Sequence, residues 1–277
     1  MELAGQLSQA AGDGDEAAVR QLLAAGARAD QGDQHGWLPL HVASIFGHER
    51  VVRLLLEAAP ATALAVDLFE STPLHLAAEL GKVGVIQLLL SAAPAAASML
   101  NAETHSPIYY AACRSNAAVV QQLLEAAPAM AFALDAFGHT PLHWALRYSH
   151  FNGTAEQVME TACCLVQAAL AVQPALGILL QYSQRSATLF TDLVARLPLS
   201  QEQWHSIPAP CSDLGRALPA VLERSTAEAG WLVRRLAKGQ RKRLRAAALS
   251  LARAQRGLPS LPAELSGRIL AVCLLEP

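Results

Sequence analysis

Nine histidines and five cysteines are the side chains of this 277-residue chain best suited to binding a metal or activating a nucleophile. The cysteines are Cys113, Cys163, Cys164, Cys211 and Cys273, an odd number with no Cys-x-x-Cys spacing. Neither a disulfide framework nor a zinc site is therefore expected. Cys163 and Cys164 are neighbours on a helix and point to different sides. All five read as reduced thiols packed as small apolar residues in a cytosolic or nuclear compartment. His41, His75 and His143 each follow Pro-Leu, and His35, His105 and His139 stand shortly before such strings. Stacked helical units would hold the latter three about 10 Å apart, whereas bonds to a shared metal are ~2 Å long. No metal and no cofactor is expected. With no Gly-rich phosphate loop and no Gly-x-Ser-x-Gly elbow, the chain is expected not to be an enzyme.

The elements that position these histidines repeat. Pro39, Pro73, Pro107 and Pro141 stand 34 residues apart, within Leu38-Pro39-Leu40-His41, Thr72-Pro73-Leu74-His75, Ser106-Pro107-Ile108-Tyr109 and Thr140-Pro141-Leu142-His143. Val51 to Leu56, Val85 to Leu90 and Val119 to Leu124 follow the first three, and Ala-Ala-Pro closes those units at Pro60, Pro94 and Pro128. A Thr before a Pro at the first helical position predicts a hydroxyl-capped helix. Leu40, Leu74 and Leu142, with Ala43, Ala77 and Ala145, give it one close-packing apolar face. The Val/Leu run predicts a second helix, stopped because a residue before proline leaves the α region.

This period and string resemble the ankyrin-repeat family, particularly its alanine-rich members with the Ala-Ala-Pro ending found in plants and green algae. The resemblance implies an all-α ankyrin-repeat solenoid of about five units, near 3–35, 36–69, 70–103, 104–137 and 138–172, within a domain over 1–172. The first unit, through Leu7, Ala10, Ala11, Gly14, Val19, Leu22 and Leu23, lacks the capping string and reads as a polar terminal cap. Leu38 in place of Thr predicts a poorer cap, and Tyr109 replaces the histidine that ties the loop in the look-alikes. Thr154 with Gln157 reads as a capping box that starts a longer helix.

By the same resemblance, loop tips and the ends of the first helices line a groove that holds another protein. The first contributions are His35, Trp37, Ile45 and Phe46, then Leu68, Phe69, Glu79 and Leu80. His105 and Arg114 follow, and last Phe137, His139, Arg147 and Tyr148. Aromatics and Arg are the residues that dominate interfaces. The expected function is a protein–protein interaction scaffold or adaptor, acting as a monomer on a partner whose identity stays open.

Residues 173–277 read as a helical extension, with short helices at Leu189–Leu197, Leu214–Leu222, Trp231–Leu236 and Leu244–Leu251 split by prolines. Ser200 with Gln203 reads as another capping box. Residues 230–256 hold nine Lys or Arg and no Asp or Glu, although the whole chain carries only −2. That run reads as a solvated face or as a neutraliser of the acidic repeats, with a nuclear address as the alternative. No aromatic interleaves it, which argues against nucleic acid. The stretch Leu261–Leu270 resembles the opening of an F-box or the first helix of a SOCS box, and so implies an alternative role as the substrate-recruiting subunit of a ubiquitin ligase. The first residues carry no basic start or apolar run, and no stretch of about 20 apolar residues exists to span a bilayer. A cytoplasmic location is expected, with the nucleus as the alternative.

Overall fold

The computed structural model describes residues 2–147, 153–172, 187–207, 214–244 and 246. It divides into two compact units, Met1–Val172 and Gln173–Pro277.

In the first unit, helices α1 (Glu2–Asp13) and α2 (Glu16–Ala24) form the opening pair, α2 being capped by Asp15, whose carboxylate accepts the Ala18 N–H at 2.9 Å. Three pairs follow: α3 (Pro39–Phe46) with α4 (Glu49–Ala58), α5 (Pro73–Glu79) with α6 (Val83–Ala92), and α7 (Pro107–Cys113) with α8 (Ala117–Ala126). A fifth first helix, α9 (Pro141–Arg147), precedes the long α10 (Ala155–Val172). The first helices α1, α3, α5, α7 and α9 pack each on the next, α2, α4, α6 and α8 do the same, and α10 packs on α8 and α9. The unit is therefore an all-α repeat solenoid.

Its core is periodic. Leu40, Leu74, Ile108 and Leu142 are buried one repeat apart, with Ala43, Ala77, Ala111 and Ala145 beside them. Val52, Ile86 and Val120 and then Leu55, Leu89 and Leu123 fill the layer between second helices. Burying one such Leu or Ile stabilises by about 2–3 kcal/mol, and no single pair can do so without its neighbour. Each second helix stops at an alanine before proline: Ala59, Ala93 and Ala127 have φ near −145° and ψ near 80°, outside the α region as expected. A short 3₁₀ turn then follows each proline, at Pro60–Leu64, Pro94–Ser98 and Pro128–Phe132. Thr154 and Gln157 form the expected box, with the Thr154 N–H donating to Gln157 Oε1 at 2.9 Å and the Gln157 N–H to Thr154 Oγ1 at 3.3 Å.

The second unit contains α11 (Ala187–Arg196), α12 (Gln201–Ser206), a 3₁₀ turn at Leu214–Ala217, α13 (Leu218–Arg224) and α14 (Thr226–Arg235). Ser200 caps α12 with Gln203 in the expected reciprocal box. Trp204 is fully buried, as are Leu193, Val194, Val221 and Leu232. One carboxylate organises this core. Glu228 accepts from Arg224 at 2.8 Å, from the Leu199 N–H at 3.2 Å and from the Trp204 indole at 3.4 Å, while Arg224 donates to the Ala195 carbonyl at 2.8 Å.

Candidate functional site

The loop between repeats is headed by an acidic or amide side chain in every case. Asp33 Oδ1 accepts the N–H groups of His35 and Trp37, and Asp67 Oδ1 those of Phe69 and Ser71. Asn101 Oδ1 accepts from Glu103 and His105, and Asp135 Oδ1 from Phe137 and His139. The backbone closes the same loop: the N–H of each heading residue donates to the carbonyl four residues on, at 2.9–3.0 Å. Burial alone would raise the Asp135 carboxyl. The donors of His139, Trp144 and Phe137 outweigh it and hold the group below its ordinary range. These four heading residues, spaced 34 apart, fix the loops and were missed by the reading of proline strings and apolar runs.

The loop tip needs a left-handed residue. Gly36 and Gly138 supply it with φ of 77° and 73°, but Glu70 and Thr104 occupy the same position at 58° and 62°. Adjacent loops are joined in a row. The Leu68 N–H donates to the His35 carbonyl at 3.2 Å and the Ala102 N–H to the Phe69 carbonyl at 3.0 Å. At the next joint Thr104 substitutes its hydroxyl, which accepts the Ala136 N–H at 2.7 Å.

The capping histidines tie each repeat to the following loop. His75 Nδ1 accepts the Thr72 N–H at 3.0 Å and the Thr72 hydroxyl at 2.9 Å, which leaves Nε2–H to donate to the His105 carbonyl at 3.1 Å. Burial holds this imidazole neutral, with its pKa lowered to about 4. His41 does the same between the Leu38 N–H and the Ser71 carbonyl, its pKa also lowered by burial. The threonine hydroxyl thus serves the imidazole, whereas the sequence predicted that it would cap the helix; the His75 N–H goes to the Thr72 carbonyl. Leu38 has no oxygen to offer, so its helix keeps only the backbone half of this arrangement. Tyr109 loses the cap but keeps the tie, donating to the His139 carbonyl at 3.0 Å and the Ala133 carbonyl at 2.6 Å. Ser106 Oγ, which an imidazole would have received, is buried without a partner among the described residues.

These ties decide which expected contact residues face outward. The carbonyls that receive the tie belong to Ser71, His105 and His139, of which the first two are buried. His105, expected in the groove, is only 3% exposed and is packed against Tyr109, Tyr110 and Trp144. His139 is half-buried beside Phe137 and His143. Trp37 is also half-buried, with its indole N–H donating to Asp67 at 3.1 Å, so it fastens one loop to the next. Phe69, Leu68 and Phe137 are 69%, 69% and 78% exposed, and His35 is exposed beside them. At the ends of the first helices Phe46 and Leu80 are exposed and Ile45 is half-buried. Arg114 and Glu79 pair across adjacent repeats at 3.0 Å, and Arg147 is exposed at the end of α9. Tyr148, the stretch Leu261–Leu270 and most of the basic run after Leu244 lie outside the described residues.

Among the described residues, no group of three His, Cys, Asp or Glu could hold a metal, and no helix is long and apolar enough to cross a membrane. No curated protein matches the chain. Residues 7–98 match the family model for ankyrin repeats, in three copies. Residues 7–98 of this chain are therefore ankyrin repeats, and helix pairs with the same loop heads continue through Arg147.

Proposed function

We propose that this chain is a non-catalytic scaffold or adaptor that holds another protein against its loop tips and the ends of its first helices. The observation that carries this reading is the exposure of Leu68, Phe69 and Phe137 on loops whose backbone is fixed at both ends. Large apolar side chains on a rigid frame lose little freedom when a partner covers them. The imidazoles of His41 and His75, by contrast, spend both nitrogens on the fold, which leaves them nothing for chemistry.

The test is affinity capture with the intact chain and with a Phe46→Ala, Phe69→Ala, Phe137→Ala variant whose thermal unfolding is unchanged. The variant is expected to lose specific partners. Retention of every partner would show that binding uses another surface.

A further inference from the structure

The edge that displays these apolar side chains is also acidic. Residues 29–38, 65–72, 99–106 and 133–140 contain no Lys or Arg, against Asp30, Asp33, Asp67, Glu70, Glu103 and Asp135. Among the described residues only Asp30 of these is neutralised by an arginine, Arg28 at 2.8 Å. Asp67 and Asp135 are buried and accept N–H donors, and those of Asp135 hold its carboxyl below the ordinary range. Glu70 is exposed next to Phe69, and the Glu103 side chain is 71% exposed.

The loop-to-loop bonds set these groups in one line at about 10 Å per repeat. Phe69 and Phe137, two loops apart, are then ~20 Å from each other, the length of roughly 13 helical residues. Residues 1–172 carry 16 Asp or Glu and 7 Lys or Arg, so the wider field has the same sign. Such an edge repels nucleic acid and anionic membranes, both of which bind through basic groups.

We propose that this edge takes a basic amphipathic segment of the partner protein, with apolar side chains on Phe69 and Phe137 and Lys or Arg facing Glu70 and Glu103. The proposal rests on the docking surface described above and adds the chemistry of what docks. Opposite charge along the row would orient the segment and speed its capture, while the phenylalanines supply contact area.

The experiment is selection from a displayed library of random peptides about 16 residues long, enough to span both tips as a helix. Selected peptides are then measured by fluorescence anisotropy against the intact chain and three double variants. Peptides richer in Lys and Arg than in Asp and Glu, and carrying Leu or Phe, are expected. Glu70→Lys with Glu103→Lys should weaken them at least about tenfold at low salt, less as salt screens the row. Glu57→Lys with Glu125→Lys, on the second helices, should weaken them far less. A pool without basic excess, no loss in the tip charge variant, or equal loss in both charge variants would overturn the proposed chemistry. Phe69→Ala with Phe137→Ala separates the two ideas: loss there alone keeps the docking surface, and no loss there removes it too.

Discussion

The Tyr109 hydroxyl reaches the His139 carbonyl at 3.0 Å, thirty residues on, the same place in the repeat where His41 and His75 reach Ser71 and His105. A phenol has thus taken over one of two tasks of an imidazole and abandoned the other. Tyr109→Phe should cost about 1–2 kcal/mol, because two half-buried carbonyls lose their donor. Tyr109→His combined with Ser106→Thr should recover most of that loss by rebuilding the cap. Urea unfolding of the three proteins measures both; an unchanged midpoint for Tyr109→Phe contradicts the tie.

The buried imidazoles make stability depend on pH in a stated direction. His75 titrates near 4 in the folded chain and near 6.5 when unfolded, so between these values the unfolded chain binds more protons. Its contribution is complete above pH 6.5 and is lost as pH falls toward 4, by about 3 kcal/mol in all. Comparing unfolding at pH 7 and pH 4.5 for the native chain and His75→Gln should show a shallower loss in the variant. Parallel losses would mean that His75 does not carry the dependence.

Glu70 and Thr104 hold the left-handed tip position without being glycine. Glu70→Gly should raise stability by about 1 kcal/mol, since a side chain in this region costs that order. Thr104→Gly should gain less or lose, because it also removes the acceptor of the Ala136 N–H. Differential scanning calorimetry of the two variants decides whether the hydroxyl outweighs the strain.

Trp37 and Phe69 are both aromatics of the loops, yet their roles separate. Trp37→Ala should destabilise by about 2–3 kcal/mol, since it unpacks a half-buried ring and strips Asp67 of a donor. Phe69→Ala should stay within about 0.5 kcal/mol, as surface changes do. A large thermal shift for Phe69→Ala would show that the ring packs on its own chain.

In the second unit, Glu228→Ala should cost about 2–3 kcal/mol by leaving the Trp204 indole and the Leu199 N–H without their acceptor and Arg224 without its carboxylate. Intrinsic tryptophan fluorescence would follow it, with Trp204 becoming wetter on unfolding at lower denaturant.

The helix pairs were legible because proline, leucine and alanine recur at one period and each has a local mechanical meaning. The loop heads recur just as regularly, at Asp33, Asp67, Asn101 and Asp135, but hydrophobic patterning does not register them and their effect is purely a matter of backbone N–H groups. The outward face was read less well. His105 and Phe137 are both tip residues but stand at different places in the 34-residue period, His105 aligning with Ser71 and His139 and Phe137 with Phe69 and Glu103. The His105 carbonyl receives the His75 donor and its side chain is buried, while that of Phe137 is exposed. Tyr109 was recognised as a departure, but its reach across to the next loop depends on the length of the phenol and the position of a neighbour, neither of which is written locally.

The polar ties from His41, His75 and Tyr109 all run the same way, forward along the chain. The modules at 70–103 and 104–137 therefore each give one proton donor and receive one, while the module at 36–69 only gives. Duplication or excision of a whole 34-residue segment keeps that exchange balanced, so the gene can grow or shrink by complete modules, while a cut of any other length strands a polar group at the seam.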